Sequence, residues 1–388
     1  MADSIKRVAH YAPFLWAKGG IANYVERLGQ AQEGIGLEVH YLTQKHGEDV
    51  LPENTTLVES EAHLFQLAKE RQIDILHLHK PVKHLPEDRV TTVRTMHGNQ
   101  GSCPSGTRFL ARSEKPCDRK YSVGGCFFTH ITQRCGSLKP SKIKRNFNGI
   151  RIEQDLGTQL HTFTVSRFLR TRMINSGYSE DKLHVLHSPA PDAPYTPGPP
   201  PAGDAPHFLF LGRLVPHKGP QWVLRTMTKL DMPIKLDIGG EGPLRAELED
   251  FCNKHGLQHR VKFHGWVAQD RVKALIAHSR AVIVPSLWHE PAGLVTLEAA
   301  AAGRAVIASR VGGVPEYALD EYSLMVKPGD KAQLAQAIQK LAKEYERAVR
   351  MGECALRNAR TRYSMAQFVD RQQALYHIAL EENKYQLA

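Results

Sequence analysis

Four charged residues in the second half of the chain carry the clearest chemical pattern. In PSLWHEPAGLVTLEAAAAGRAVIASRVGG, Glu290 and Glu298 have seven residues between them, across a change from strand-like to helix-like patterning. That helix is expected to start at Gly293, Leu294 and Val295, whose N–H groups lack intrahelical acceptors and so point at an anion beyond the helix end. Glu298, about one turn in, is placed to accept hydrogen bonds from ribose hydroxyls; an acid in a first helical turn also serves simply to offset the helix dipole. Upstream, FLFLGRLVPHKGPQWVL sets Arg213 and Lys218 five positions apart at a strand end and a helix mouth. A guanidinium binds oxygens in a fork and an ammonium acts as a point charge, so the two suit a diphosphate, although the same pair also fits solvated surface charge. Near the beginning, HYAPFLWAKGGIANYVERL places Gly19 and Gly20 between a strand and an amphipathic helix. Two glycines there let the backbone approach a phosphate or sugar closely, and equally make an ordinary tight turn.

The charge balance favours anionic partners, since Lys and Arg number 51 against 40 Asp and Glu, a net +11. Much of the excess is local: residues 101–150 hold ten Lys and Arg against Glu114 and Asp118 alone. Lys139, Lys142, Lys144 and Arg145, at the end of that segment, make a candidate surface for a diphosphate-bearing ligand or anionic lipid headgroups, or a loop whose charge serves solubility. A nucleic-acid partner is not expected, because the sequence has no zinc finger, RNA-recognition motif or basic patch interleaved with aromatics. Four of the six cysteines, Cys103, Cys117, Cys126 and Cys135, fall in the same segment with 13, 8 and 8 residues between successive members. None forms a closely spaced C-x-x-C pair, so free thiols, a metal site and disulfides all stay open.

These groups need elements to position them. At 388 residues, 41% apolar and 23% charged, the chain has the composition of soluble globular proteins and the length for two domains. In the first half IKRVAHYA, LEVHYLT, IDILHLH, VTTVRTM, HTFTVS and KLHVLHS read as short strands with helical patterns between them. In the second half HFLFLGRL, IKLDIGG, VKFHGW, AVIVPS, RAVIASR and SLMVKP repeat the theme. Strand alternating with helix means parallel sheets, so two doubly wound α/β domains are expected. Eight of the 23 prolines crowd into residues 189–206 and mark the linker. The expected division is an N-terminal domain over 1–188 with a basic, cysteine-containing insertion at 98–147, a second domain over 207–363, and a C-terminal helix at 364–388 of the kind that packs back on the first domain. After Pro328 the pattern is wholly helical, through DKAQLAQAIQKLAKEYERAVRMG and, after a break, SMAQFVDRQQALYHIALEEN. In such folds ligands sit at the carboxyl ends of the strands, so the chemistry is expected between the domains. No apolar run approaches the roughly 20 residues of a membrane span, and MADSIKRVAHYAP lacks the apolar stretch of a secretory signal, so a cytoplasmic placement is expected.

Taken together, Gly19–Gly20, the Arg213-to-Lys218 spacing, IGGEGP at 238–243, FHGWV at 263–267 and the two glutamates of HEPAGLVTLEA resemble the retaining family-4 glycosyltransferases. Their fold is GT-B, two facing Rossmann-like domains with a cleft between them. The resemblance runs through nearly all of 207–328; in the first half, Gly19–Gly20 and TMHG at 95–98 are its anchors. It implies that Glu290 lies near the transferred sugar, that Glu298 binds the nucleotide ribose, and that Arg213 and Lys218 hold the diphosphate. The amides of Leu294 and Val295 would touch the distal phosphate, with Gly293 at the head of their helix. Trp266 and Val267 match positions where the nucleobase stacks or meets backbone groups, Gly240 belongs to the IGGEGP turn on the donor side, and His97 matches a histidine near the sugar and the acceptor. Three features depart from the family pattern: Ala292 stands where many relatives carry an aromatic, HSPAPDAP replaces the common N-G-V-D, and the cysteine-rich insertion follows TMHG directly. All three bear on the sugar and acceptor rather than on the nucleotide.

The activity this resemblance implies is transfer of a hexose-type unit from a nucleotide diphosphate sugar, with UDP the carrier the family favours. The acceptor would be a hydroxyl of a glycan, a lipid-linked or a small-molecule substrate, and the anomeric configuration would be retained. Charge grows on the leaving diphosphate, where Arg213, Lys218 and the helix-start amides stabilise the transition state more than the ground state. No D-x-D occurs and these cations take the place of a divalent metal, so neither a metal nor another cofactor is expected. Two other readings compete. One is a sugar-nucleotide 2-epimerase of the same architecture, against which the paired glutamates weigh; the other is a non-catalytic sugar-nucleotide-binding protein, for which no positive feature speaks. The basic segment is compatible with peripheral contact at the cytoplasmic membrane face.

Overall fold

The computed structural model describes residues 5–16, 20–46, 51–191 and 198–387. The chain divides into two compact units, one made of Met1–Gly106, Pro140–His187 and Met365–Ala388, the other of Thr107–Lys139 and Ser188–Ser364. The strands of the first main sheet are β1 (Arg7–Tyr11), β2 (Glu38–Thr43), β3 (Thr55–Leu57), β4 (Ile75–Leu78), β5 (Thr92–Met96), β6 (Thr162–Thr164) and β7 (Leu183–Val185). Those of the second are β8 (His207–Leu211), β9 (Lys235–Gly239), β10 (Val261–Gly265), β11 (Ala281–Val284), β12 (Ala305–Ser309) and β13 (Ser323–Val326). The helices are α1 (Gly20–Glu33), α2 (Glu61–Glu70), α3 (Val123–Gln133), α4 (Pro140–Gln159), α5 (Arg167–Ile174), α6 (Pro220–Met227), α7 (Arg245–Lys254), α8 (Gln269–His278), α9 (Leu294–Ala301), α10 (Lys331–Lys343), α11 (Tyr345–Thr361) and α12 (Met365–Leu387).

The first unit holds a parallel sheet in the order β7-β6-β5-β4-β1-β2-β3. The chain starts in the middle and winds first one way, then the other, so the order reverses between β1 and β4. There the connections leave in opposite directions and open a crevice at the strand ends. Side chains alternate between the faces. Ala9 and Tyr11 of β1, with Leu42, Leu76 and Leu78, pack toward Leu64 and Phe65 of α2 and Leu156 of α4. Val8, Ile75, Val93 and Phe163 face the other way, toward Leu28 of α1 and Met365, Phe368, Val369 and Tyr376 of α12. The last helix of the chain therefore completes the core of the first unit. Strand β4 is buried along its whole length, as a strand covered on both faces must be, which is why it reads as an apolar run interrupted only by His77.

The second unit repeats the plan in the order β10-β9-β8-β11-β12-β13, with its reversal between β8 and β11. Phe208, Phe210, Ile283 and Ile307 face Trp222 of α6 and Leu334 and Ile338 of α10. Leu209, Val282, Val284 and Val306 face Leu275 and Ile276 of α8 and Ala299 of α9. The twelve strands expected from the sequence all form, and β3 is added at an edge, its Thr-Thr-Leu too short and polar to signal itself.

Two expectations need correction, and a third gains detail. The insertion expected at 98–147 of the first domain divides: residues 107–139 group with the second unit. Phe109 is buried in that unit's core, Glu114 pairs with Arg225 of α6 at 3.3 Å, and Asp118 pairs with His289 at 2.9 Å. The proline-rich linker expected at 189–206 is irregular where it is described, as its composition implies, and it is tied down by hydrogen bonds. Its Gly198, Pro200 and Pro201 carbonyls accept hydrogen bonds from Arg304, Tyr345 and Arg280, while residues 192–197 lie outside the described residues. Finally, the helical stretch after Asp330 breaks at Glu344 and not at Gly352. Helix α11 continues to Thr361 because Ala348, Met351, Gly352, Ala355 and Ala359 keep one buried face in helical register.

Candidate functional site

In the second unit the reversal between β8 and β11 brings two loops together. Beyond β8 the chain passes Gly212 and Arg213 into a 3-10 turn, Pro216–Lys218, that leads into α6. Beyond β11 it runs through Ser286, Trp288 and Glu290 to α9. The Leu287 N–H donates to the His217 carbonyl at 2.9 Å, and Lys218 Nζ donates to Glu290 Oε1 at 2.8 Å. Glu290 is buried, at 6% exposure. Burial pushes its carboxyl up, but the charge and hydrogen bond of Lys218, together with Ser286 and Trp288, more than cancel that and hold it below its ordinary value. The ammonium of Lys218 also lies 5.4 Å from the centre of the Trp288 ring. His217 is pushed down to about 4, first by burial and then by the charges of Lys218 and Arg213. Burial is thus the larger cause and the neighbouring cations add to it, with Arg213 itself exposed.

Two glycines fix the backbone here. Gly312 takes φ +60°, and a Cβ on it would fall 2.3 Å from the Glu290 carbonyl oxygen, to which the Gly313 N–H donates at 2.7 Å. At φ +139°, Gly240 would place a Cβ 1.9 Å from the Gly212 carbonyl oxygen, so the turns after β8 and β9 touch backbone to backbone. Gly293 caps α9 and Leu294 begins it, 43% exposed, with Val295 and Glu298 partly buried. Trp266, just beyond β10, is 57% exposed, and Val267 packs against the cluster under α8 and α9.

In the first unit the reversal between β1 and β4 carries histidines. His10 of β1 stands opposite His77 of β4 in register, His79 follows β4 and His97 follows β5. Spacing by two keeps His77 with His79, and Thr95 with His97, on the face covered by α1 and α12. His97 Nε2 bonds His79 Nδ1 at 3.1 Å, His79 Nε2 bonds His10 Nδ1 at 3.0 Å, and His10 Nε2 bonds Gln32 Oε1 at 2.7 Å. His77 bonds the Tyr376 hydroxyl at 2.6 Å and Thr95 Oγ1 at 2.7 Å, and Tyr24 stands edge-on to His97 at 4.8 Å. Burial pushes His10 down to about 4; burial and then the charge of Lys80 push His97 down to about 3. His77 and His79 lie well below the ordinary value, again chiefly through burial. His79 and His97 line a cavity of about 560 Å³ together with Glu61, Lys80, Lys83 and Arg145, a volume suited to a small organic ligand. Among the described residues, His10, His77 and His79 are the group whose ligand atoms lie close enough, within 4.8 Å, to share a metal ion. All six of their ring nitrogens are already hydrogen-bonded.

The sequence candidates thus fall in two places. Arg213, Lys218, Gly240, Trp266, Val267, Glu290, Gly293, Leu294, Val295 and Glu298 belong to the second unit, where Lys218 and Glu290 touch; His97 belongs to the first. Gly20 opens α1, whereas Gly19 lies outside the described residues. The basic candidates, expected as one surface, divide: Lys139 ends the second unit's segment, and Lys142, Lys144 and Arg145 are exposed on α4 of the first. No disulfide joins the cysteines among the described residues. Sequence reasoning missed Ser286, Trp288 and Gly312 around Glu290, and His10, His79 and Gln32 behind His97. The alternation in LHLH and TMH, polar residues spaced by two inside buried strands, was the available signal for the second group.

The described architecture matches solved structures along almost its whole length. A sucrose-phosphate synthase from Thermosynechococcus elongatus superposes with a TM-score of 0.70 at 18% identity, covering 97% of this chain and 100% of that one. The Anabaena protein HepE, solved in complex with UDP and glucose, gives 0.67 at 14% identity over 94% and 98%. The fold is that of the GT-B glycosyltransferases, with parallel sheets in two α/β domains. Within it, residues 197–357 match the family model of glycosyl transferases group 1. An uncharacterized glycosyltransferase from Methanocaldococcus jannaschii is 33% identical over 177 residues, 45% of each chain. The chain spans about half the length of the curated relatives it matches.

Proposed function

We propose that the protein is a retaining glycosyltransferase of family 4, moving a hexose-type unit from a nucleotide diphosphate sugar, a UDP-sugar foremost, to an acceptor hydroxyl without a metal. The observation that carries this reading is the buried Lys218–Glu290 pair at the strand-order reversal of the second sheet, with Arg213 on one loop and the start of α9 after the other. A diphosphate bound there shares Lys218 with Glu290. Arg213 and the N–H groups of Leu294 and Val295 then supply the remaining stabilisation as charge builds on the leaving oxygen. Glu290, fixed by Ser286, Lys218 and the turn at Gly312, orients sugar hydroxyls and supports positive charge in the ring. Glu298 takes the ribose hydroxyls, and Trp266 and Val267 the base. A leaving phosphate oxygen receives the proton of the attacking hydroxyl. His97 and its cavity serve the acceptor, a glycan, lipid-linked or small-molecule alcohol, and the UDP held by HepE favours UDP as the carrier.

The basic segment has a second role in this reading, contact with the anionic face of a membrane. Val123, Phe128 and Ile131 of α3 are 65%, 67% and 47% exposed in the sequence between Lys120 and Lys139, and exposed apolar residues flanked by cations favour a lipid interface. No helix among the described residues is long and apolar enough to cross a membrane.

A thermal-shift panel of nucleoside diphosphates and their sugars tests the donor assignment, because a ligand at about 100 times its Kd stabilises the fold by about 2.7 kcal/mol. A shift by one nucleotide series is expected, and none by any of them would overturn the reading. Free nucleoside diphosphate should accumulate only when an acceptor is added; epimerised sugar nucleotide formed without an acceptor, with no net nucleoside diphosphate, would favour a 2-epimerase.

A further inference from the structure

The histidines of the first unit form a chain with a direction. Burial keeps His10, His77, His79 and His97 neutral near pH 7, so each ring carries one N–H donor and one lone pair. A neutral imidazole that donates from one nitrogen must accept at the other, and in a line of such rings the choice at one end dictates all of them. His97, His79 and His10 are such a line, with contacts of 3.1 and 3.0 Å, and it ends at Gln32 Oε1, 2.7 Å from His10. Among the described residues, His97 Nδ1 is the one ring nitrogen of the four histidines without a hydrogen bond to the protein, and His97 lines the cavity.

The buried end is set by α12. Gln32 Nε2 donates to Gln372 Oε1 at 2.9 Å and lies 3.4 Å from the Tyr376 hydroxyl. On that side Gln32 Nε2 thus has two acceptors, Gln372 Oε1 and the Tyr376 hydroxyl oxygen, the latter free to accept when its own hydrogen is directed to His77 Nδ1 2.6 Å away, and this arrangement favours the amide NH₂ there. Gln32 Oε1 then faces His10 and accepts. It follows that His10 donates from Nε2, that His79 donates from Nε2 to His10, and that His97 donates from Nε2 to His79. Were the amides of Gln32 and Gln372 both turned over, every bond would run the other way and His97 would show the cavity an N–H.

We propose that Gln32, His10 and His79, anchored by Gln372 and Tyr376, are positioning residues that hold His97 in its Nε2–H tautomer, so that a bare Nδ1 faces the cavity and selects a hydroxyl donor rather than a phosphate or carboxylate oxygen. The tautomer is a property of the folded chain alone; its use on an acceptor hydroxyl rests on the glycosyltransferase reading.

Two-bond proton–nitrogen correlation on the full chain, labelled with ¹⁵N-histidine, tests the first part, with the His97 ring identified by its loss in His97→Asn. A protonated Nε2 and bare Nδ1 are expected. The opposite tautomer, an imidazolium, or averaging between forms would overturn the proposal, as would stoichiometric binding of Co²⁺ that broadens the His10, His77 and His79 signals. Gln32→Met, close in shape but without an acceptor, should release His97 into a mixture of tautomers and lower kcat/KM for the acceptor about tenfold, one misplaced hydrogen bond. Donor KM and the thermal shift with nucleoside diphosphate should stay as they are. Retention of the single tautomer in Gln32→Met would overturn the relay. Unchanged acceptor kinetics with a mixed tautomer would overturn the selection of hydroxyl. If Gln32→Met does not fold, the spectrum of the unaltered chain still decides the tautomer.

Discussion

Replacing Lys218 by methionine keeps most of its volume and removes its charge, and the consequences follow from the geometry around Glu290. The two groups stand 2.8 Å apart with side chains 24% and 8% exposed; at an effective dielectric of about 20, Coulomb's law gives about 6 kcal/mol of attraction. Desolvation of both ions offsets part of it, and removing one partner from a buried pair typically costs about 3–5 kcal/mol. Lys218→Met leaves Glu290 with Ser286 and Trp288, and burial, no longer cancelled by the ammonium, then pushes the carboxyl above its ordinary value of 4.5. The pH dependence changes sign accordingly. In the native chain the lowered carboxyl contributes stability that is complete above 4.5 and is lost as the pH falls through its folded value. In the variant the raised carboxyl binds its proton more readily when folded, so stability increases as the pH is lowered from neutrality toward 4.5. Denaturant unfolding at several pH values reads this directly. The same change should lower kcat by roughly 100-fold or more, the scale of one transition-state charge stabiliser. Adding Glu290→Gln should restore much of the stability and none of the activity. Full activity in Lys218→Met would refute the diphosphate assignment, and a double variant no more stable than the single one would refute the ion-pair argument.

Three further outcomes are expected. Glu298→Ala should mainly raise the donor KM, since ribose contacts are made in ground and transition states alike, whereas Glu290→Ala should mainly lower kcat; steady-state kinetics with the reverse pattern would overturn the two roles. Activity should survive EDTA, because protein cations already face the leaving group; loss on chelation with rescue by Mn²⁺ or Mg²⁺ would contradict this. Charge reversal at Lys142, Lys144 and Arg145 should weaken binding to anionic liposomes by at least about two orders of magnitude, the loss of about 1 kcal/mol per cation alone, or raise the acceptor KM, with donor affinity unchanged. If neither moved, the exposed charge of α4 would serve solubility alone.

The cluster around Lys218 and Glu290 was legible because the residues that form it are local in sequence. Arg213 and Lys218 share one loop, Glu290 lies on another that leads into α9 and Glu298, and the apolar periods around them place both loops at strand ends whatever the rest of the chain does. What the sequence could not show is how Glu290 is held. Gly312 and Gly313 lie in a turn beyond the next strand, and their approach to the Glu290 carbonyl is a matter of backbone geometry that no local pattern announces. The insertion was misplaced for a related reason. Its affinity for the second unit rests on Phe109, Glu114 and Asp118, three separated residues in a segment whose loudest signal is charge.

The histidines were the least legible. Within IDILHLH and TVRTMH they read as polar interruptions of buried strands, which ordinarily costs stability unless every polar atom is paired. Their partners come from α1 and α12, and the bond from Gln32 to Gln372 spans 340 residues. Only a fold that brings the last helix of the chain onto the first sheet can satisfy them. That dependence explains why α12 cannot be an appendage: without Gln372 and Tyr376, the Gln32 amide has no fixed side, the His10–His79 line has no fixed direction, and the ring at the cavity has no fixed tautomer. A buried row of neutral rings is thus a poor way to stabilise a sheet and an effective way to carry one choice of hydrogen-bond direction from the covered core to the end of a strand.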